Sequence, residues 1–182
     1  MIEVGSVIHT STAPPEAFFE RWVDLPTHPE WASSMEWFDV ETPVALGSRG
    51  TAKSVGNDPA PFEVTALEAP HVYSDTTVVA EDIDGNATTL TVHHEARPLE
   101  NGSRVEIRAW LDGPQGRELE MEMRAVLERA LPQDLAALVA LVEGRDVAEG
   151  EPHRLDPNRA GPSAHRPPNP EIPDPGADPT NG

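Results

Sequence analysis

The sequence predicts an α+β domain in which a curved antiparallel sheet wraps around one long C-terminal helix. Three observations carry this expectation. A strand pattern and two short helical patterns open the chain. About six strand patterns separated by turn residues follow, and one long amphipathic pattern runs from Gln115 to Glu143. A sheet built of hairpins must bury one face, and only the long helix is large enough to cover it. That pairing leaves room for a cavity between sheet and helix.

Each element has a local cause. Ile2 to Ser11 carries Val4, Val7 and Ile8 and reads as a strand. Ala13-Pro14-Pro15-Glu16 opens a helix, because proline is tolerated in the first turn where its missing N–H has no partner anyway. Phe18, Phe19, Trp22 and Val23 give that helix an apolar face, and Pro26 stops it. A second short helix is expected from Pro29 to Ser33, carrying Trp31. Strands are then expected at Met35–Glu41, Ser48–Val55, Pro61–Leu67, Val72–Glu81, Thr88–Ala96 and Arg104–Leu111, with turns at Gly56-Asn57-Asp58-Pro59, Asp84-Gly85-Asn86 and Glu100-Asn101-Gly102. The last strand alternates cleanly, with Val105, Ile107, Ala109 and Leu111 against Arg104, Glu106, Arg108 and Trp110. In the long helix Leu119, Met123, Val126, Leu127, Ala130 and Leu131 form a stripe that Leu135, Leu138, Val139 and Val142 continue. Pro132 removes one backbone hydrogen bond and is expected to kink or split this helix.

Composition narrows the function classes. The chain has 182 residues and a formal charge of −19, from 13 Lys and Arg against 32 Asp and Glu. Such a surface repels phosphate backbones, and no basic stripe offsets it, so no nucleic-acid partner is expected. There is no cysteine, which removes thiol nucleophiles and thiolate metal sites. No apolar run reaches the ~20 residues of a membrane span, so no stable membrane insertion is expected. The start Met1-Ile2-Glu3-Val4 lacks a basic flank and apolar segment, so a cytoplasmic location is expected. From Pro152 to Gly182 there are nine prolines and only Leu155 and Ile172 as large apolar residues. The expected organisation is a ligand-binding domain at 1–145 and a disordered Pro-rich tail at 146–182. Arg166-Pro167-Pro168-Asn169-Pro170 faintly matches a proline-groove ligand, against the plainer reading of an inert tail.

Thr12-Ala13-Pro14-Pro15-Glu16-Ala17-Phe18-Phe19, Asp24-Leu25-Pro26, Pro29-Glu30-Trp31, Leu46-Gly47-Ser48, Asn101-Gly102-Ser103-Arg104-Val105 and Leu135-Ala136-Ala137-Leu138 occur in an order and spacing that resembles the START-like (SRPBCC) superfamily, of the polyketide cyclase/dehydrase and lipid-transport type. The resemblance covers about Ile2 to Arg145. It implies a helix-grip fold with a hydrophobic cavity between the sheet and the C-terminal helix. Its members bind lipids, sterols, polyketides or related molecules, and some catalyse cyclisation or aromatisation, so fold membership alone does not fix function.

The cavity candidates are Trp37, Phe62, Val64, Tyr73, Leu90, Val92, His94, Ile107, Ala109, Met123 and Leu127. His93 and His94 are adjacent in a strand, so they face opposite ways and cannot clamp one ion. His94 shares a face with Leu90 and Val92 and is the inward one, able to serve as a general acid/base or polar anchor. His9 and His71 could approach it in space. Tyr73 is the other candidate for proton transfer, although each of these residues is equally at home as ordinary core. Arg108 and Trp110 are expected on the outer sheet face, with Arg108 paired to a carboxylate; a flipped register would instead make Arg108 an inward anchor. No metal-ligand spacing, phosphate loop, nucleophile elbow or nucleotide fingerprint is present, so no metal or cofactor is expected. The leading expectation is binding of a small hydrophobic or aromatic molecule. The alternatives are a cyclase or dehydratase acting on a polyketide-like substrate, with His94 or Tyr73 moving protons, and a protein–protein regulatory module.

Overall fold

A computed structural model describes residues 1–144. The tail expected to be disordered, and its proline-groove motif, lie outside the described residues. The elements are β1 (Ile2–Ser11), α1 (Pro15–Val23), a 3₁₀ segment (Leu25–Glu30), β2 (Met35–Asp39), β3 (Arg49–Ser54), β4 (Ala60–Glu68), β5 (Val72–Glu81), β6 (Ala87–Leu99), β7 (Gly102–Asp112) and α2 (Gly116–Val142). The strands form one antiparallel sheet of seven in the order β1-β7-β6-β5-β4-β3-β2. Consecutive hairpins build β2 to β7, and β1 pairs with β7 to complete the curve. The expected α+β architecture, a curled sheet gripping a C-terminal helix, is the one observed.

The alternation in β7 has the expected sense. Val105, Ile107, Ala109 and Leu111 are buried, whereas Arg108 on the other face pairs with Glu3 and lies 5.1 Å over the Trp110 ring. The inward row packs with Val4, Leu131, Leu135, Leu138 and Val139 in one core. Burying a side chain of this kind contributes about 1.5–3 kcal/mol, so this layer supplies a large share of the favourable free energy. At Gly5 the helix comes very close: a Cβ there would stand 2.9 Å from Leu131 Cδ1 and 3.1 Å from Leu127 Cβ.

The short second helix differs from expectation. It is a 3₁₀ segment at Leu25–Glu30, starting four residues earlier and ending before Trp31. Pro26 opens it and Pro29 sits within it, and two residues without N–H groups favour a short tight turn over an α-helical ladder. His28 Nε2 donates to the Trp22 carbonyl at 2.9 Å and ties this turn to the end of α1.

Pro132 does not split α2, which runs unbroken for 27 residues. The apolar stripe nevertheless divides in two. Leu131, Leu135, Leu138 and Val139 are buried, while Leu119, Met123 and Val126 remain partly exposed. Both ends of α2 are tied down. The Gln115 N–H donates to Thr88 Oγ1 at 3.0 Å, and Glu143 Oε1 accepts from the Thr12 N–H at 2.8 Å and the Ser11 hydroxyl at 2.7 Å. No helix among the described residues is long and apolar enough to cross a membrane.

Candidate functional site

The partly exposed half of the α2 stripe faces a cavity of about 690 Å³ against the concave side of the sheet. A volume of this size lies in the range of small-molecule sites, about 300–1,000 Å³. The sheet contributes Asp75 and Thr77 from β5, Leu90, Val92 and His94 from β6, and Ile107 from β7. The helix contributes Leu119, Met123, Val126 and Leu127. His28, Trp31, Met35 and Phe38 close a third side, and Asp58 and Glu122 stand among the residues toward the β3–β4 turn and the helix.

Six of the eleven candidates line this cavity: Leu90, Val92, His94, Ile107, Met123 and Leu127. The other five do not, each for a local reason. Trp37 is 38 % exposed on the opposite face of β2, because a register shift between Met35 and Trp37 against β3 breaks the alternation and turns Phe38 inward instead. Phe38 packs edge-on over Phe62, with ring centroids 5.3 Å apart, so Phe62 is core; Val64, two residues along the same strand face, is fully buried as well. Tyr73 is sealed in by His28 and His94, whose rings stand 6.1 and 5.6 Å from its own. Ala109 pairs with Gly5 on one side and Val92 on the other, beneath the point where α2 presses closest.

The histidines also resolve. His93 faces outward, with Nδ1 2.7 Å from the Ser74 hydroxyl and its ring against Trp110. His9 and His71 do not join His94: His9 is exposed beside Thr10, and His71 Nδ1 donates to the Ala96 carbonyl. The ring that stands in the His94 cluster is His28, with Trp22, Trp31 and Tyr73.

This aromatic cluster surrounds ionisable groups in an unusual state. Burial lowers His28 to about 4, partly offset by its hydrogen bond to the Trp22 carbonyl. Burial also drives His94 well below the ordinary histidine value, helped by the neighbouring His28 and His93. Both rings are therefore neutral at neutral pH. Asp75, 7 % exposed, is raised by burial to about 7, and the Tyr73 hydroxyl favours its charged form. Burial first, then the Asp75 charge, pushes Tyr73 well up. The Tyr73 hydroxyl faces Asp75 without closing a well-formed hydrogen bond, and the buried His94 Nδ1 and Trp31 Nε1 likewise have no protein partner. Asp134 is also raised by burial, against the hydrogen bonds that Ser33 gives it.

Asp75 was legible in principle, since it follows Tyr73 at the strand period and so shares its face. His28 carried no such signal, because it lies in a Pro-flanked turn. Among the described residues no group of three or more His, Asp or Glu stands close enough to hold a metal ion.

The fold is that of a helix-grip protein with a cavity between the sheet and the C-terminal helix. Residues 1–143 match the family described as polyketide cyclase / dehydrase and lipid transport, and the chain belongs to that family. Solved structures with the same fold include a protein of Mesorhizobium loti, 18 % identical with a TM-score of 0.58, the match covering 79 % of this chain and 98 % of that one. Ara h 8.0201 is 13 % identical with a TM-score of 0.60, covering 78 % and 97 %. The di-domain ARO/CYC StfQ from the steffimycin biosynthetic pathway is 10 % identical with a TM-score of 0.61, covering 79 % of this chain and 51 % of that one. No curated protein sequence matches closely enough to count as a relative.

Proposed function

We propose that the protein binds a small hydrophobic or aromatic molecule in the cavity between α2 and the sheet. One observation carries the reading: apolar walls of Leu90, Val92, Ile107, Met123 and Leu127 line a cavity of about 690 Å³, with polar groups, Asp75 and His94 on the sheet among them, interspersed in the lining. Apolar walls supply affinity and a few polar groups fix orientation, which is the usual division of labour in such sites. Family membership supports the same reading.

The test is a fluorescence titration with the uncharged probe N-phenyl-1-naphthylamine, run beside the variant Val92→Trp. Saturable binding that the tryptophan weakens by about tenfold or more is expected, because an indole placed on the cavity wall takes space the probe needs. A probe that binds neither protein, or binds both alike, overturns the reading.

A second reading is proton transfer on a polyketide-like substrate. It is favoured by Asp75, a carboxyl on the cavity wall that burial holds near 7, where a group can both give and take a proton close to neutral pH. His94 and Tyr73, the two candidates drawn from the sequence, would act here by shaping the surroundings of Asp75. Turnover of a polyketide-like substrate that survives Asp75→Asn would remove this reading.

A further inference from the structure

We propose that the cavity takes an uncharged ligand, one that sets a hydroxyl or carbonyl group against Asp75, and turns away the same skeleton when it carries an anionic group. The proposal rests on the binding reading above and names the class of molecule bound.

The charges that line the cavity are of one sign. Asp58, Asp75, Glu122 and Asp134 all belong to its lining, and no Lys or Arg among the described residues does. A site built for a carboxylate or phosphate would place a guanidinium or ammonium there, because that is the geometry and charge those groups need. The cations of this domain are engaged elsewhere. Arg49, Lys53, Arg97, Arg104 and Arg108 pair with Glu63, Glu36, Glu95, Glu106 and Glu3. Arg124 pairs with Glu120 on α2, away from the cavity lining.

Asp75 is the carboxyl that the sheet sets among the apolar walls. It is buried on the cavity wall, opposite Val92 in the β5–β6 ladder, and has no ion-pair partner among the described residues. An anion entering here would lose its hydration to walls of Leu90, Val92 and Ile107 and meet a second negative charge in a poorly screened space. A hydroxyl or carbonyl gives up far less hydration. A hydroxyl can use the carboxyl in either protonation state, accepting from the acid or donating to the carboxylate, whereas a carbonyl accepts from the acid form alone. Because burial holds Asp75 near 7, both states are present around neutral pH.

The test uses two probes that share one skeleton: uncharged N-phenyl-1-naphthylamine, and 8-anilino-1-naphthalenesulfonate, which adds a sulfonate. Both are titrated into the full chain at about pH 8, where Asp75 is mostly charged. Only the binding lost in Val92→Trp is counted, which removes contributions from other surfaces. The uncharged probe is expected to bind at least about tenfold tighter than the sulfonate. That gap contains the intrinsic difference in hydrophobicity of the probes, which is common to all variants, so the change in the ratio reads the carboxylates. The ratio is expected to fall by about threefold or more in Asp75→Asn. Asp58→Asn combined with Glu122→Gln alters only exposed side chains and repeats the comparison in a variant whose folding is not at risk. Equal binding of the two probes by the unaltered chain overturns the proposal, as does a ratio that neither variant moves. A chain that fails to bind the uncharged probe at all removes the binding reading, and the selectivity with it.

Discussion

Asp134 on α2 accepts two hydrogen bonds from Ser33, one from its backbone N–H and one from its hydroxyl, both at 2.9 Å. These bonds join the long helix to the segment that follows the 3₁₀ turn, next to Trp31 and Ala32 on the cavity wall. Asp134 is 5 % exposed while Ser33 is exposed, so a residue that cannot accept loses both hydrogen bonds to the carboxylate and leaves the Ser33 donors to water. Asp134→Ala is expected to cost about 1–3 kcal/mol, read from urea unfolding, and Asp134→Asn less, because its amide oxygen still accepts. Equal losses for the two variants would contradict this account.

Stability should peak near pH 7. Asp75 holds its proton to about 7 in the folded chain and to 3.8 ordinarily, so between those values the folded state binds the extra proton and stability falls as pH rises. His28 does the reverse. It stays neutral down to about 4 when folded but takes a proton at 6.5 ordinarily, so its contribution is lost as pH falls through that window. His94 shifts in the same direction as His28. The two effects oppose each other around pH 7, and as pH falls further the histidines outweigh Asp75. Urea midpoints at a series of pH values check the maximum. Asp75→Asn should abolish the alkaline decline and raise stability at pH 8 by roughly 2–4 kcal/mol.

The close approach at Gly5 leaves little room for a methyl group. A Cβ 2.9 Å from Leu131 Cδ1 and 3.1 Å from Leu127 Cβ forces the leucines or the helix to shift. Gly5→Ala is expected to destabilise by about 1–3 kcal/mol, the usual cost of overpacking, despite the conformational advantage of alanine in a strand. Leu127 also lines the cavity, so probe affinity should change together with the unfolding midpoint.

Tyr73→Phe removes a buried hydroxyl that closes no hydrogen bond. Stability is expected to stay within about 1 kcal/mol of the unaltered chain, because no formed bond is lost and an unsatisfied group is removed. The same hydroxyl favours the charged form of Asp75. Its loss should therefore move the Asp75 titration upward, as followed by carboxyl carbon NMR. A downward movement would show that the hydroxyl acts otherwise.

The parts of this fold that could be read in the sequence are those where one periodicity governs a whole element. The strict alternation of β7 and the stripe of α2 each bury a defined face, and the order of elements follows from them. What could not be read depends on single residues that interrupt a period. The irregularity between Met35 and Trp37 exchanges the roles of Trp37 and Phe38, and nothing in Met35-Glu36-Trp37-Phe38 announces it. Phe62, Val64, Tyr73 and Ala109 do face inward, but whether an inward residue touches a cavity or a neighbour depends on what lies above it, which is a long-range property. His28 reaches the cluster through a turn, where no periodicity exists to place it.

Held at Gln115 by Thr88 and at Glu143 by Ser11 and Thr12, α2 is a beam supported at both ends. Its first half spans open volume and its second half rests on packed leucines. Pro132 has no N–H to offer the carbonyl of Glu128, so one rung of the ladder is missing where the beam passes from the one to the other. A load under the first half, such as a guest larger than the space provides, would bow the beam about that weak rung without lifting either support.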